Sequence, residues 1–95
     1  MPAIHYAKAA LNDLSAIYDY TAENWGVDQA EDYQHALRAA IHRLADGNAI
    51  GRKVVERSGY SKYTVNAHCI FFRRIKNGIE IIRVLHQAMD TERHL

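Results

Sequence analysis

The sequence predicts an α+β fold of two layers, in which a helical hairpin covers one face of an antiparallel sheet. A short extended segment occupies residues 3–6, apolar residues then recur at helical spacing over 8–46, and dense β-branched runs fill 69–85. Because the helices form one block between strands, we expect the order β-α-α-β-β-β, with three or four antiparallel strands after the helices.

Composition indicates a small globular protein. The chain has 95 residues, 48% hydrophobic and 24% charged, which predicts that residues 1–95 form a single domain. Its start lacks the basic and apolar segments of a signal peptide, and no apolar run could span a membrane. The only cysteine, Cys69, cannot form an internal disulfide, and its apolar neighbours predict a packed thiol. A cytoplasmic location is therefore expected.

The charge is divided unevenly between the two halves. Residues 1–50 carry three cations against seven anions, net −4, whereas residues 51–95 carry nine cations against four anions, net +5. Two explanations fit this division: either the halves pair with each other, or the basic sheet faces an anionic partner.

The first helix is predicted from Lys8 to Trp25. Its apolar face follows spacings of three and four, and Gly26 can take the left-handed position that ends a helix. That face comprises Ala7, Leu11, Leu14, Tyr18, Thr21 and Trp25. Trp25, at the end of this helix, could pack against Val27 or stand exposed as a contact anchor.

A second helix follows at once. Asp28 and Glu31 match a capping box, an apolar stripe continues to Leu44, and Gly47 lies in the segment that stops the helix. Because the link near Gly26 is so short, the two helices must be antiparallel.

The second half predicts strands. Val54 and Val55 suggest a short edge strand, and the alternation over 60–66 suggests a half-exposed one. Asn77-Gly78 is the dipeptide favoured in type I′ hairpins. The register that follows pairs Lys76 with Ile79, Arg74 with Ile81, Phe72 with Arg83 and Ile70 with Leu85, and it places Val84 on the face of Ile82. Both faces of the last strand are then mostly apolar, which predicts an interior strand covered on both sides.

Several short segments, in their order along nearly the whole chain, resemble one family. These segments are Ala10-Leu11-Asn12-Asp13-Leu14, Ile17-Tyr18-Asp19-Tyr20, Asn24-Trp25-Gly26, Ile50-Gly51-Arg52, His68-Cys69-Ile70-Phe71-Phe72-Arg73, Ile81-Ile82-Arg83-Val84-Leu85-His86 and Met89-Asp90. The chain thereby resembles the RelE/ParE toxin superfamily of bacterial type II toxin–antitoxin systems, most closely its ParE branch. It departs from the pattern at Asn48-Ala49, where a proline is usual, and at Phe72, where a tyrosine is common.

The resemblance implies a RelE-like fold, with the last strand between the first strand and its hairpin partner. It implies a toxin of plasmid-maintenance type that inhibits growth by acting on DNA gyrase, without direct sequence-specific binding of nucleic acid. A cognate antitoxin would neutralise it in a hetero-oligomer. The alternative is a RelE-like, ribosome-dependent mRNA endoribonuclease, and a third hypothesis is a domain that keeps the fold without toxicity.

Binding residues follow from charge and position. A partly helical, acidic antitoxin segment suits a basic sheet beside apolar helices, and the residues expected to contact the antitoxin are Tyr18, Trp25, Tyr33, Arg73 and Arg83. The polar tail follows the last strand, has little to bury and is assigned to target binding. It consists of Asp90, Thr91, Glu92, Arg93, His94 and Leu95.

No catalytic residue is expected for the gyrase inhibitor. RNA cleavage without metal requires a base, an acid and cations, and the residues available for these roles are Arg73, Arg83, His86 and Glu56. Two of these residues also have a structural explanation. Arg83 could pair with a carboxylate of a helix, and His86 could cap the end of the strand. His35 and His42 are two helical turns apart, about 10 Å, too far for one ion. Neither a metal nor a cofactor is expected.

Overall fold

The described residues form a helical hairpin packed on one face of a five-stranded sheet. The computed structural model describes residues 2–89 and 91–95, with residues 91 and 92 described by their backbone alone. The elements are β1 (Ala3–Tyr6), α1 (Lys8–Trp25), α2 (Val27–Asp46), β2 (Arg52–Lys53), β3 (Ser61–Val65), β4 (His68–Ile75), β5 (Gly78–His86) and α3 (Thr91–His94). The predicted two-layer α+β architecture is confirmed. Within the described residues, no helix is both long and apolar enough to cross a membrane.

One glycine separates the two long helices. Gly26, at φ 95°, donates its N–H to the carbonyl of Ala22 and accepts from the N–H of Ala30, so it ends α1 and begins α2. A side chain with a Cβ rarely adopts this conformation. The predicted capping box is wrong, because the glycine backbone turns the chain earlier and leaves Asp28 inside the first turn of α2. There its charge still complements the helix dipole.

The sheet has the strand order β1-β5-β4-β3-β2. β1 is parallel to β5, and the other neighbouring strands are antiparallel. The last long strand therefore lies between the first strand and its hairpin partner, as expected.

The register of the β4–β5 hairpin differs from the prediction. The turn is formed by Lys76 and Asn77, so Ile75 pairs with Gly78, and neither Asn77 nor Gly78 has a positive φ. A type I′ turn would require positive φ at both positions. The reason is the neighbouring strand: a Cβ on Gly78 would lie 1.8 Å from the carbonyl oxygen of Ala3. Gly78 serves this close approach of β1 rather than the turn.

A bulge shifts the rest of the ladder. Phe72 pairs with Ile81 while Phe71 pairs with Arg83, which leaves Ile82 as the extra residue of β5. Beyond it Ile70 pairs with Val84, so the predicted Phe72–Arg83 and Ile70–Leu85 pairs do not form. Beyond the bulge, the side chains of β5 therefore lie on the face of the sheet opposite to the one predicted.

Val84 consequently packs in the cluster under the helices and Leu85 in the cluster on the opposite face. The predicted placement of Val84 with Ile82 was wrong, because no local signal marks a bulge.

The core is divided by the sheet into two clusters. The inner cluster, between sheet and helices, contains Ala10, Leu14, Leu37, Ala40, Ile41, Leu44, Ala45, Ala49, Ile70, Phe72, Ile79, Ile81 and Val84. The outer cluster contains Val54, Cys69, Phe71 and Leu85, with Tyr60, Ile82 and Leu95 packed against it. Both faces of β5 are apolar as predicted, but the outer face is covered by a loop and the chain end instead of a second helical layer.

The edge strand is shifted from its predicted position. β2 comprises Arg52 and Lys53 in place of the predicted Val54 and Val55. The N–H of Val54 donates to the carbonyl of Tyr60, which closes a loop and buries the Val54 side chain in the outer cluster. Val55 is 95% exposed. The strand predicted over 60–66 is present as β3.

Candidate functional site

Arg83 joins three parts of the fold. Its guanidinium donates Nε–H to Oδ2 of Asp13 at 2.7 Å, Nη2–H to Oδ1 at 2.8 Å, and Nη1–H to the carbonyl of His94 at 2.9 Å. Hydrogen bonding to Asp13 is the main reason that the pKa of Arg83 is raised, so the side chain remains a cation. Arg83 therefore pairs with a carboxylate of a helix, as its structural explanation predicted.

Asp13 has a further contact that depends on the bulge. Its Oδ2 also accepts the N–H of Val84 at 2.9 Å, so one carboxylate of α1 binds both the backbone and the guanidinium of β5. This residue was not identified as functional from the sequence, since its partners are known only once the bulged register is known.

Arg73 makes a more exposed pair. Its Nε lies 2.6 Å from Oε1 of Glu80, the residue directly opposite on β5, and its side chain is 50% exposed. An exposed pair of this kind contributes about 0–1 kcal/mol. The guanidinium therefore stays accessible to a partner molecule.

Arg74 has a structural role at the C-terminal end of α2. Its Nη1 donates to the carbonyl of Leu44 at 2.9 Å, near the end of α2, and its guanidinium carbon lies 5.7 Å from the centroid of the Phe72 ring. A cation is favoured at a helix C-terminus, where carbonyls lack intrahelical partners.

Tyr33 is held inside the fold by its hydroxyl. The group donates to the carbonyl of Val65 at 3.1 Å and lies 2.6 Å from Nδ1 of His68, whose ring centroid is 5.4 Å from that of His86. Burial raises the pKa of Tyr33; burial and, secondly, the charge of His86 lower the pKa of His68. These contacts attach α2 to the β3–β4 turn.

His86 closes the end of β5. Its Nδ1 accepts the backbone N–H of Ala88 at 3.1 Å, which agrees with the strand-end explanation. Glu56 is exposed in the loop between β2 and β3. Among the described residues, no hydrogen bond or ion pair joins any two of the four groups considered for RNA cleavage, namely Arg73, Arg83, His86 and Glu56. No direct contact in the described part therefore holds these four groups together.

The helical hairpin exposes an apolar surface. Trp25 is 61% exposed at its tip and its ring centroid is 5.9 Å from that of Tyr20, so it does not pack in the core. Leu11 is also exposed and Tyr18 is half-buried. Leu11, Tyr18 and Trp25 are seven residues apart, a spacing that places them on one side of α1. We call these three residues the α1 stripe. Their spacing had predicted that they belong to the apolar face that packs in the core.

A cavity of about 210 Å³ opens on the outer face of the sheet. Its lining residues are Arg52, Lys62, Thr64, Cys69, Phe71, Leu85, His86, Gln87 and Met89. We call it the outer cavity. It was not predicted, because the edge strand that supplies Arg52 had been placed too late in the chain.

The chain end is packed rather than free. α3 runs Thr91–His94, the carbonyl of His94 accepts from Arg83, and Leu95 contacts the outer cluster. The expectation that the tail has little to bury was wrong at Leu95. Of the residues assigned to target binding, Asp90 and the side chains of Thr91 and Glu92 lie outside the described part, while Arg93 and His94 are exposed.

No metal centre is assembled in the part of the chain that the structure describes. There, no three His, Cys, Asp or Glu side chains are close enough to hold an ion together. His35 and His42 are both exposed on α2.

Comparisons with known proteins identify the family. Residues 4–91 match the model of the ParE toxin of type II toxin–antitoxin systems, parDE. Toxin ParE1 of Mycobacterium tuberculosis is 46% identical over 89 residues, which cover 92% of this chain and 91% of that protein. Toxin ParE1 of Caulobacter vibrioides is 36% identical over 96 residues, covering 100% and 99%.

The same fold occurs in a solved structure, described as a chromosomal ParDE TA system from P. aeruginosa. That structure superposes with a TM-score of 0.79 at 23% identity, covering 90% of this chain and 96% of the other. Taken with the family match, these findings show that the chain belongs to the ParE toxin family of type II toxin–antitoxin systems.

Proposed function

We propose that this ParE-family toxin inhibits DNA gyrase by protein–protein contact and that a cognate antitoxin neutralises it. The proposal is supported by the contacts of the four groups available for RNA cleavage. Arg83 is bound to Asp13 and His94, Arg73 to Glu80, and His86 to a backbone N–H, while Glu56 lies in an exposed loop. General acid–base catalysis needs such groups positioned around one substrate. Binding to a protein target needs only a complementary surface.

The target assay separates inhibition from cleavage. Purified toxin should trap complexes of gyrase with cleaved DNA and should leave message intact on translating ribosomes. His86→Ala should keep gyrase inhibition within about threefold, because His86 makes one local hydrogen bond at the strand end. Cleavage of message that His86→Ala abolishes would replace gyrase inhibition with the endoribonuclease function.

The exposed tail side chains are the proposed gyrase contacts. Deleting the tail would also remove the His94 carbonyl and Leu95, both of which belong to the fold. The double variant Arg93→Ala with His94→Ala removes only exposed side chains and keeps that carbonyl. It should weaken gyrase inhibition at least about tenfold, while the melting temperature changes by less than about 2 °C.

A second double variant is the matched control for the tail variant. The double variant His5→Ala with Lys8→Ala removes the same residue classes from exposed positions near β1. Equal loss of inhibition in both double variants would assign the effect to general charge and contradict a specific role for the tail.

The proposed antitoxin surface is the α1 stripe together with the half-exposed Arg73. An exposed aromatic anchor and a cation suit an acidic amphipathic segment that folds on binding. Tyr33 and Arg83 are proposed to support this surface from within, since their polar groups are engaged by the fold.

Calorimetry with the purified antitoxin tests this surface. Trp25→Ala should weaken the complex at least about thirtyfold, as expected for an exposed aromatic anchor. Charge reversal in Arg73→Glu should weaken it at least about tenfold. Val55→Ala, which shortens an exposed side chain outside the surface, should leave the affinity unchanged. Unchanged affinity in Trp25→Ala would contradict the assignment.

A further inference from the structure

One edge of β5 continues beyond the end of its neighbouring strand. β1 pairs with β5 as far as Tyr6 opposite Ile81, and β5 then runs on without β1 beside it. Backbone donors on such an edge need another acceptor. Asp13 of α1 supplies one, because its Oδ2 accepts the N–H of Val84 at 2.9 Å. A helix carboxylate thus takes the place that a longer first strand would have had.

The same carboxylate fixes the orientation of Arg83. Both oxygens of Asp13 accept from the guanidinium, from Nε at 2.7 Å and from Nη2 at 2.8 Å. A planar guanidinium held along one edge by two bonds directs its third nitrogen along a defined line. That nitrogen, Nη1, donates to the carbonyl of His94 at 2.9 Å. We call Asp13, Arg83 and the His94 carbonyl the tail clamp.

The tail needs contacts of this kind to hold one position. α3 comprises Thr91–His94, and an isolated helix shorter than about 12–15 residues is marginal in water. Two described contacts join the tail to the fold: the hydrogen bond from Arg83 to the His94 carbonyl, and the packing of Leu95 against the outer cluster. Apolar packing is non-directional, whereas a hydrogen bond is directional. The tail clamp therefore sets the orientation of the tail.

We infer that Asp13 and Arg83 are positioning residues for the contact between the tail and its target. Asp13 orients Arg83, and Arg83 fixes the backbone of the tail. The exposed side chains of Arg93 and His94 are thereby presented in one orientation. A preorganised contact loses less conformational entropy on binding than a mobile one. The inference rests on the proposed contact of the tail with gyrase, and it gives this ion pair a role in inhibition besides its role in the fold.

The first experiment measures the order of the tail without any target. Arg83→Lys keeps a positive charge beside Asp13, but a single ammonium group lacks the planar fork that directs a bond to the tail. Nitrogen-15 relaxation of the full chain should give amide order parameters near 0.85 for Arg93 and His94, as in rigid backbone, and below about 0.6 in Arg83→Lys. A mobile tail in the unmodified chain, or unchanged order in Arg83→Lys, would overturn the inference.

Arg74→Lys is the matched control. Arg74 also lies on β4–β5 hairpin backbone and also donates Nη1 to a helix carbonyl at 2.9 Å, but that carbonyl belongs to Leu44 of α2. The variant loses the same kind of bond, so its melting temperature should agree with that of Arg83→Lys within about 5 °C. Its tail should keep the order of the unmodified chain. Equal loss of tail order in both variants would overturn the clamp in favour of a general loosening of the fold.

Asp13→Asn tests the other half of the clamp, and it keeps the test decisive if Arg83→Lys does not fold. The amide oxygen can still accept the N–H of Val84, but the amide nitrogen is a donor and cannot accept from the guanidinium. Arg83 then loses one of the two bonds that orient it. The order parameters of the tail should fall, by less than in Arg83→Lys. Unchanged order in Asp13→Asn would overturn the positioning role of Asp13.

Gyrase inhibition by the folded variants completes the test. Arg83→Lys should weaken inhibition at least about tenfold, and Arg74→Lys should keep it within about threefold. If the double variant Arg93→Ala with His94→Ala loses inhibition but Arg83→Lys keeps it, the clamp is overturned and the tail contact stands. If that double variant and Arg83→Lys both keep full inhibition, the tail is not the gyrase contact, and the role of the clamp fails together with that part of the proposed function.

Discussion

Phe71 and Phe72 are adjacent in β4, equally buried and of the same type, yet they belong to different structures. Phe72 packs in the inner cluster, which the two helices cover, and Phe71 packs in the outer cluster beside a cavity. Both faces of the sheet are therefore apolar, but within the described residues only the inner one is covered by a layer of long helices. The inner face is closed by the helices, whereas the outer face borders an open cavity.

The largest expected effect separates these two phenylalanines. Phe72→Ala should lower the free energy of unfolding by about 3–5 kcal/mol, because the helices prevent the inner cluster from collapsing around the new void. Phe71→Ala should cost at least about 1 kcal/mol less, because the space it leaves joins an open cavity that water can fill. Urea unfolding of both variants measures the difference. Equal losses would mean that the outer cluster is as tightly packed as the inner one.

The two arginine pairs differ in their exposure to solvent. Asp13→Ala should lower the free energy of unfolding by about 2–3 kcal/mol, since it leaves a partly buried Arg83 and the N–H of Val84 without their acceptor. Glu80→Ala removes the acceptor of the half-exposed Arg73 and should cost less than about 1 kcal/mol.

Thermal or urea unfolding of the two variants side by side provides the measurement, with the double variant Asp13→Ala with Arg83→Met as a control. That double variant should regain part of the stability, because no unpaired charge stays buried. A loss in Glu80→Ala as large as in Asp13→Ala would contradict the ranking by burial.

The smallest expected effect is a dependence on pH. Burial lowers the pKa of His68 in the folded chain below its ordinary value of 6.5, so the unfolded chain takes up a proton first as the pH falls. The contribution to stability is complete above pH 6.5 and is lost as the pH decreases below it. His68→Gln should reduce this dependence between about pH 7.5 and about pH 5.5, whereas His35→Gln, on the exposed surface of α2, should not. Identical pH profiles for His68→Gln and the unmodified chain would exclude His68 as the cause.

The helices and the position of the last strand were predictable because their signals are local or repeated. Apolar spacing defines α1 and α2, and an apolar strand on both faces must lie inside a sheet. The hairpin register was not predictable, because Asn77-Gly78 is a strong local turn signal that a distant residue overrides. Gly78 is needed against Ala3, and nothing near Gly78 in the sequence shows this.

The candidate sites were less predictable than the fold. The position of Arg52 opposite Lys62 depends on where β2 begins, and the two valines that follow suggested a later start. The sequence predicted that Arg83 could pair with a carboxylate of a helix. That this carboxylate belongs to Asp13 depends on the bulge, which also directs the N–H of Val84 toward the same oxygen. Such sites arise from register, which is set by tertiary contacts.

The placement of β5 has a consequence for synthesis of the chain. β5 pairs with β1 and with β4, and both of these strands are synthesised before it. A nascent chain that ends before residue 78 has both long helices but lacks the strand that joins β1 to β4, and with it Ile79, Ile81 and Val84 of the inner cluster. We therefore expect the inner cluster to close only once β5 has been synthesised.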